Sequence, residues 1–202
     1  MRFAILTTAA LALALGACGE KADAPTAPEP NVSVEPEPLD PSAPAAEQAA
    51  LAACSPATTE GFCGVRFGAS PEEAMKVFPA LLETYSGDVN IASNPNACYE
   101  LIAAEPVQGI TFLVEDAKVG RLDVLSEGTK TADGFGVGTA AEAIRAKYGA
   151  ALKEQPNKYE PEVTELVVTQ GAGKLVFEIQ AGTVRAWRAG IAPTIDYVER
   201  CG

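Results

Sequence analysis

The stretch Gly68-Ala69-Ser70-Pro71-Glu72-Glu73-Ala74-Met75-Lys76-Val77-Phe78 carries a complete helix start. Ser70 is a good N-cap, Pro71 suits the first helical position, and Glu73 completes a capping box. Ala74, Val77 and Phe78 then fall on one helical face. Pro79 ends or kinks the helix, and Leu81 and Leu82 continue its apolar face beyond that point. Ahead of it, residues 62–67 read as a short strand. Behind it, a Gly87-Asp88 turn leads to three strand candidates, 98–103, 109–114 and 119–125.

The same order returns. Gly134-Phe135-Gly136-Val137-Gly138 leads into a helix in which Thr139 and Glu142 read as a second capping box. Ile144 and Tyr148 lie 70 residues after Ala74 and Phe78, and Gly138 lies 70 after Gly68, although the caps match only at 69. Strand candidates follow at 164–169, 175–180 and 184–187. Phe177, Ile179 and Val184 sit 65 residues after Phe112, Val114 and Val119, so the second connecting loop is five residues shorter. This spacing reads as an internal duplication. The expected fold is α+β: two related halves, about 60–128 and 132–202, each a short helix packed on an antiparallel sheet. Leu175, Phe177 and Ile179 point inward, with Val176, Glu178 and Gln180 outward. Together about 140 residues can bury roughly two-thirds of their unfolded surface, which neither half does alone.

The pattern Gly68-x-Ser70-x-x-Glu73-Ala74-x-x-x-Phe78 is echoed by Gly138-Thr139-x-x-Glu142-x-Ile144-x-x-x-Tyr148-Gly149. It resembles the repeat of the β-lactamase-inhibitor-protein-like superfamily, which includes the small lipoprotein of the outer-membrane barrel assembly machine. The resemblance spans about 62–190, with Pro79 standing where the family usually has Gly. It implies a non-enzymatic, protein-binding fold, and it transfers no functional residues, because such families bind through variable concave surfaces.

The N-terminus has a separate logic. Met1-Arg2-Phe3, an apolar run over 4–15 and then Gly16-Ala17-Cys18 form a secretory signal peptide over 1–17. The run is shorter than the ~20 apolar residues a membrane span needs. Leu15-Gly16-Ala17-Cys18 resembles the lipobox of bacterial lipoproteins. That implies diacylglycerol on the Cys18 sulfur, cleavage before Cys18, and a membrane partner held through palmitate-like acyl chains; two or more chains make a stable anchor. Gly19 rather than Asp follows, which by the same resemblance directs the protein to the outer membrane, facing the periplasm. Residues 18–50 then form a tether. Seven of the chain's 15 prolines lie between Pro25 and Pro44, and seven acidic residues face one Lys, so the segment is expected to be disordered. In polyproline II geometry ~30 residues reach at most about 90 Å. The folded part is expected over 51–202.

Composition narrows the function. A net charge of −12 disfavours nucleic acid as a partner, and with no histidine the commonest general base and metal ligand are missing. Cys54, Cys63, Cys98 and Cys201 remain after Cys18, an even number in an exported chain, so disulfides are the default. Four cysteines allow three pairings; the favoured one is Cys54–Cys63, closing a short loop, with Cys98–Cys201, tying a first-half strand to the C-terminus, and the competing one joins Cys63 to Cys201 and Cys54 to Cys98. Residues 195–199 alternate like a strand ahead of Cys201. With neither a CxxC pair nor a calcium loop, no metal or other cofactor is expected. Glu115-Asp116, Asp133-Gly134 and Gly171-Ala172-Gly173 read as turns. Glu165, Glu178 and Asp196 are the carboxylates a hydrolase would recruit, but their spacing selects no pair. The most distinctive loop is Asn157-Lys158-Tyr159-x-Pro161. Tyr159, Trp187 and Tyr197 together suit a protein or sugar partner, while the plainer reading of Trp187 is a core residue. The expected function is a lipid-anchored, non-enzymatic binding or scaffold module of the cell envelope, with a protein or glycan partner. The alternatives are a carbohydrate- or peptidoglycan-binding module and a carboxylate-dependent envelope hydrolase.

Overall fold

The structure, a computed structural model, describes residues 53–84, 97–104 and 107–201, with the single positions 49 and 51. The signal peptide, Cys18, nearly all of the tether and the Gly87-Asp88 turn lie outside the described residues.

Chain order runs β1 (Gly61–Phe62), β2 (Val65–Arg66), α1 (Pro71–Val77), β3 (Leu81–Thr84), β4 (Tyr99–Ala103), β5 (Ile110–Glu115) and β6 (Lys118–Val124). It continues with α2 (Ala141–Tyr148), β7 (Leu152–Pro156), β8 (Thr164–Gln170), β9 (Gly173–Gln180) and β10 (Thr183–Ile191). Short 3₁₀ turns occupy Gly149–Ala151 and Thr194–Asp196. Among the described residues the architecture is α+β: an eight-stranded antiparallel sheet, ordered β3-β4-β5-β6-β10-β9-β8-β7, a two-stranded hairpin β1-β2, and the short helices α1 and α2. Cys54 is bonded to Cys63 and Cys98 to Cys201.

Helix α1 starts as its sequence dictates. The Ser70 hydroxyl accepts from the Glu73 N–H, and the Glu73 carboxylate accepts from the Ser70 N–H, which satisfies two orphan donors of the first turn. Four local expectations fail, each for a physical reason. Residues 62–67 form a tight hairpin rather than one strand, because Cys63 and Gly64 both take positive φ (52° and 84°) and reverse the chain. Leu81 and Leu82 begin β3 rather than extending the helix; past Pro79, the Leu81 N–H donates to Phe78 O and the chain opens into pairing with Ala103 and Ile102. Thr139 does not cap α2. The N-cap is Ala140, with no side-chain bond, and the Thr139 hydroxyl accepts from the Gly136 N–H instead. Finally, residues 195–199 are not a strand. They continue from the Thr194–Asp196 turn across the sheet, over interior strands whose two edges are already paired.

One face of the sheet carries the core. Phe112, Leu122, Leu166, Phe177 and Trp187 pack with Ala74 of α1, with Phe78 at its C-cap and with Ile144 of α2. Phe135 makes edge-on contacts with Tyr148 and Phe177, which joins α2 to the sheet. The opposite face carries Leu113, Arg121, Asp123, Val176 and Arg188. They are buried too, because residues 192–201, the C-terminal tail, lie over them.

Candidate functional site

The tail-covered face is built around two buried arginines. Arg121, 3% exposed, donates to Asp123 through Nε (3.0 Å) and Nη2, and through Nη1 to the backbone oxygen of Tyr197 (2.7 Å). Arg188, 5% exposed, donates to Glu165 (2.8 Å), to Glu178 (2.8 Å) and to the backbone oxygen of Ile195 (3.4 Å). Strand pairing sets Arg188 beside Asp123. Each guanidinium therefore reads a carboxylate on the sheet and a carbonyl on the tail, a fixed fork that suits Arg better than Lys. Further clasps are the Tyr197 hydroxyl donating to Glu115, Lys174 with Asp196, Arg200 with Glu100, and the disulfide from Cys98 to Cys201. The bond to Glu115 pushes the Tyr197 phenol above its ordinary pKa.

The loop over 157–163, between β7 and β8, is fastened to this network. The Asn157 side-chain oxygen accepts from the N–H groups of Tyr159 and Glu160, an Asx turn. Its amide reaches Glu165, whose other oxygen accepts from Gln155. Glu160 is held by Arg185, with Nη1 at 2.7 Å, and this hydrogen bond keeps the Glu160 carboxyl below the ordinary carboxylate range. Arg185 sits at a bulge in β10 and also reaches Glu178. With its base fixed, the loop holds Lys158 and Tyr159 in solvent. Tyr159 is 56% exposed, with the Lys158 ammonium 5.0 Å from its ring centre.

Two depressions flank the tail. A groove of about 290 Å³ has Glu165, Val167 and Val176 as its floor, Lys153 and Gln155 on the β7 side, and Ile195 and Val198 on the tail side. A shallower one of about 430 Å³ lies beyond the tail and brings Lys158 and Tyr159 together with Tyr197. Lys158, Asp196 and Val198 border both.

Of the three aromatics picked out in the sequence, the structure unites Tyr159 and Tyr197 and separates Trp187. Trp187 is 1% exposed, on the core-facing register of β10 opposite Val124 and Phe177, with 6.3 Å between its ring and that of Phe177. It belongs to the core rather than to a binding surface. Glu165 and Glu178 do meet, around Arg188, and Asp196 pairs with Lys174. Asp133 is fixed by Lys147 and Tyr148, whose hydrogen bonds keep its carboxyl low. No set of three or more metal-ligating side chains occurs among the described residues. Glu115 closes β5 ahead of the Asp116-Ala117 turn, and Gly171 lies in the hairpin between β8 and β9.

No family model matches the chain, and no curated protein matches it. Among solved structures, an extracellular protein containing a SCP domain from Bacillus anthracis is similar at 10% identity and a TM-score of 0.45, over 62% of this chain and 44% of that one. This chain thus spans under half of that protein's length. A DUF4309 family protein from Bacillus subtilis is similar at 12% identity and a TM-score of 0.44, over 74% of this chain and 95% of that one.

Sequence reasoning missed the arginine network and strand β7. The network did leave a signal. Glu165, Glu178 and Arg188 stand beside apolar strand residues (Leu166, Phe177 and Ile179, Trp187 and Ala189), where a charge needs a partner. Strand β7, Leu152-Lys153-Glu154-Gln155-Pro156, has no apolar alternation because it is a sheet edge with exposed side chains.

Proposed function

We propose that this protein is a lipid-anchored, non-enzymatic binding module of the cell envelope that takes its partner on the tail-covered face of the sheet. The observation that carries this reading is the Lys158-Tyr159 pair, exposed on a loop whose base is fixed by Asn157, Glu160 and Glu165. A rigid, exposed aromatic costs little ordering entropy on binding. The carboxylates nearby are already committed to guanidinium groups, which leaves them poorly suited to acid–base work. The exposed Tyr159 ring also suits stacking on a sugar, so peptidoglycan is the first partner to try. Retention of the protein on purified sacculi, compared with Tyr159→Ala, tests this: the variant should be released, and equal retention would refute the face.

Anchoring rests on the lipobox at Cys18. Two disulfides are consistent with folding in an oxidising compartment. Changing Cys18→Ala should abolish metabolic labelling with palmitate, and undiminished label would refute the anchor. Membrane fractionation tests the outer-membrane assignment by itself.

Duplication of the fold belongs to the same proposal, as does the likeness to the β-lactamase-inhibitor-protein-like repeat. Three correspondences support it. Gly68 N–H donates to Val119 O while Val119 N–H donates to Ala69 O; Gly138, Val184 and Thr139 repeat this pair of bonds at offsets of 70 and 65. The pairing Phe112–Leu122 recurs as Phe177–Trp187, and Leu101–Phe112 as Leu166–Phe177. A register shift at Gly120 in β6 recurs at Arg185 in β10, again 65 residues on.

A further inference from the structure

The charge of the groove narrows the ligand. In a chain of net charge −12, four cations border it, namely Lys153, Lys158, Lys174 and Arg188, against two anions, Glu165 and Asp196. The charge of Arg188 is already matched: its guanidinium is buried and donates to Glu165, Glu178 and the Ile195 carbonyl. Glu165 is matched as well, and Lys174 is paired with Asp196. What remains is positive. Lys153 and Lys158 have no carboxylate partner in the ion pairs among the described residues, and both are exposed at the groove rim. Between them lie the apolar Val167 and Val176 and the amide of Gln155.

We infer that this groove binds a short acidic peptide, with carboxylates at Lys153 and Lys158 and small side chains over Val167 and Val176. The inference rests on the binding-module reading and adds the ligand class. The volume, about 290 Å³, suits a segment of two or three small residues and lies at the low end for ligand sites. Separate ammonium groups match separate carboxylates. A phosphate is best gripped by an arginine fork or a nest of backbone N–H groups, and the one arginine at this groove is buried with its charge already matched by Glu165 and Glu178.

The test is fluorescence anisotropy with the full chain purified in detergent. The probe is dye-labelled Ala-Glu-Ala-Glu with a free C-terminus, set against Ala-Gln-Ala-Gln amide. The acidic probe should bind about ten-fold more tightly, and the difference should shrink as salt rises. Lys153→Ala and Lys158→Ala should each weaken it about two- to five-fold, the size expected of an exposed ion pair. Lys76→Ala, on α1, should leave it unchanged. Unaltered fluorescence of Trp187, the chain's one tryptophan, certifies the fold of each variant. Equal binding of the two probes, displacement by inorganic phosphate at matched concentration, or lysine variants that bind normally would each overturn the inference. Binding of a neutral glycan fragment that is lost in Tyr159→Ala, with no preference for the acidic peptide, would overturn the ligand class and leave the binding-module reading standing.

Discussion

Replacing Arg188 by Ala should destabilise the protein by about 3 kcal/mol, the low end of the range for breaking a buried ion pair from one side. Arg188 and Glu165 have side chains only 6% and 5% exposed, so removing the guanidinium leaves a carboxylate buried without a countercharge. Glu178 is 19% exposed and keeps Arg185, so it loses less. Gln155 still donates to Glu165 at 2.8 Å, which holds the cost to the low end. The Ile195 carbonyl loses a donor too, though at 3.4 Å that bond is long and adds little. Arg188→Lys keeps the charge but not the fork, and should cost about 1–2 kcal/mol. The double change Arg188→Met with Glu165→Leu removes both charges from the interior and should be less costly than Arg188→Ala alone. Urea denaturation followed by Trp187 fluorescence measures all of these. A loss below 1 kcal/mol for Arg188→Ala, or strictly additive losses in the Arg188–Glu165 double-mutant cycle, would refute the coupled network.

Gly120→Ala should cost about 1–3 kcal/mol by overpacking, since its new Cβ would meet the buried Thr194 side chain, and Thr194→Ala should relieve part of the loss in the same denaturation assay. Removing Cys98–Cys201 by paired Ala substitutions should cost roughly 4–5 kcal/mol in the chain-entropy model, because it closes a separation of 103 residues; removing Cys54–Cys63, with a separation of 9, should cost about 2.5 kcal/mol. Glu160 has its pKa lowered from 4.5 by Arg185, so the grip on the loop is complete above that pH and is lost as pH falls through the depressed folded value; limited proteolysis across pH should cut within 157–163 only on the acid side. Tyr148 is shifted the other way, raised above 10 by burial and by Asp133, so its contribution is present below pH 10 and lost as pH rises through the folded value; Tyr148→Phe should remove one step above pH 10 from the ultraviolet phenolate titration.

The parts of the fold that follow from local chemistry were legible. The Ser70–Glu73 capping box, the existence of strands β4, β5, β6, β8 and β9, and the favoured cysteine pairs needed only nearest-neighbour reasoning or the pinning of a terminus. What escaped depends on the sheet as a whole. Leu81 joins β3 because Ala103 offers it an edge, a contact no window around Pro79 contains. Residues 195–199 alternate like a strand but find no open edge where they run, so their apolar members cover the sheet face instead. At the site, the exposed Tyr159 was recognisable from its Asn-Lys-Tyr loop. Trp187 was not separable from it, because one aromatic on a strand reads alike on either face until the register is known. Arg185 and Arg188 gain their meaning only from Glu160, Glu165 and Glu178, carboxylates on other parts of the chain.

The most direct test of the binding face is NMR chemical-shift mapping on the full chain in detergent, titrated with muropeptides that carry both a glycan and an acidic peptide. The account predicts saturable shifts concentrated at Lys153, Lys158, Tyr159 and Tyr197, with the ligand recovered chemically unchanged. Shifts confined to the hairpin and α1 around Val65 and Val77, or conversion of the muropeptide to a new product, would contradict it.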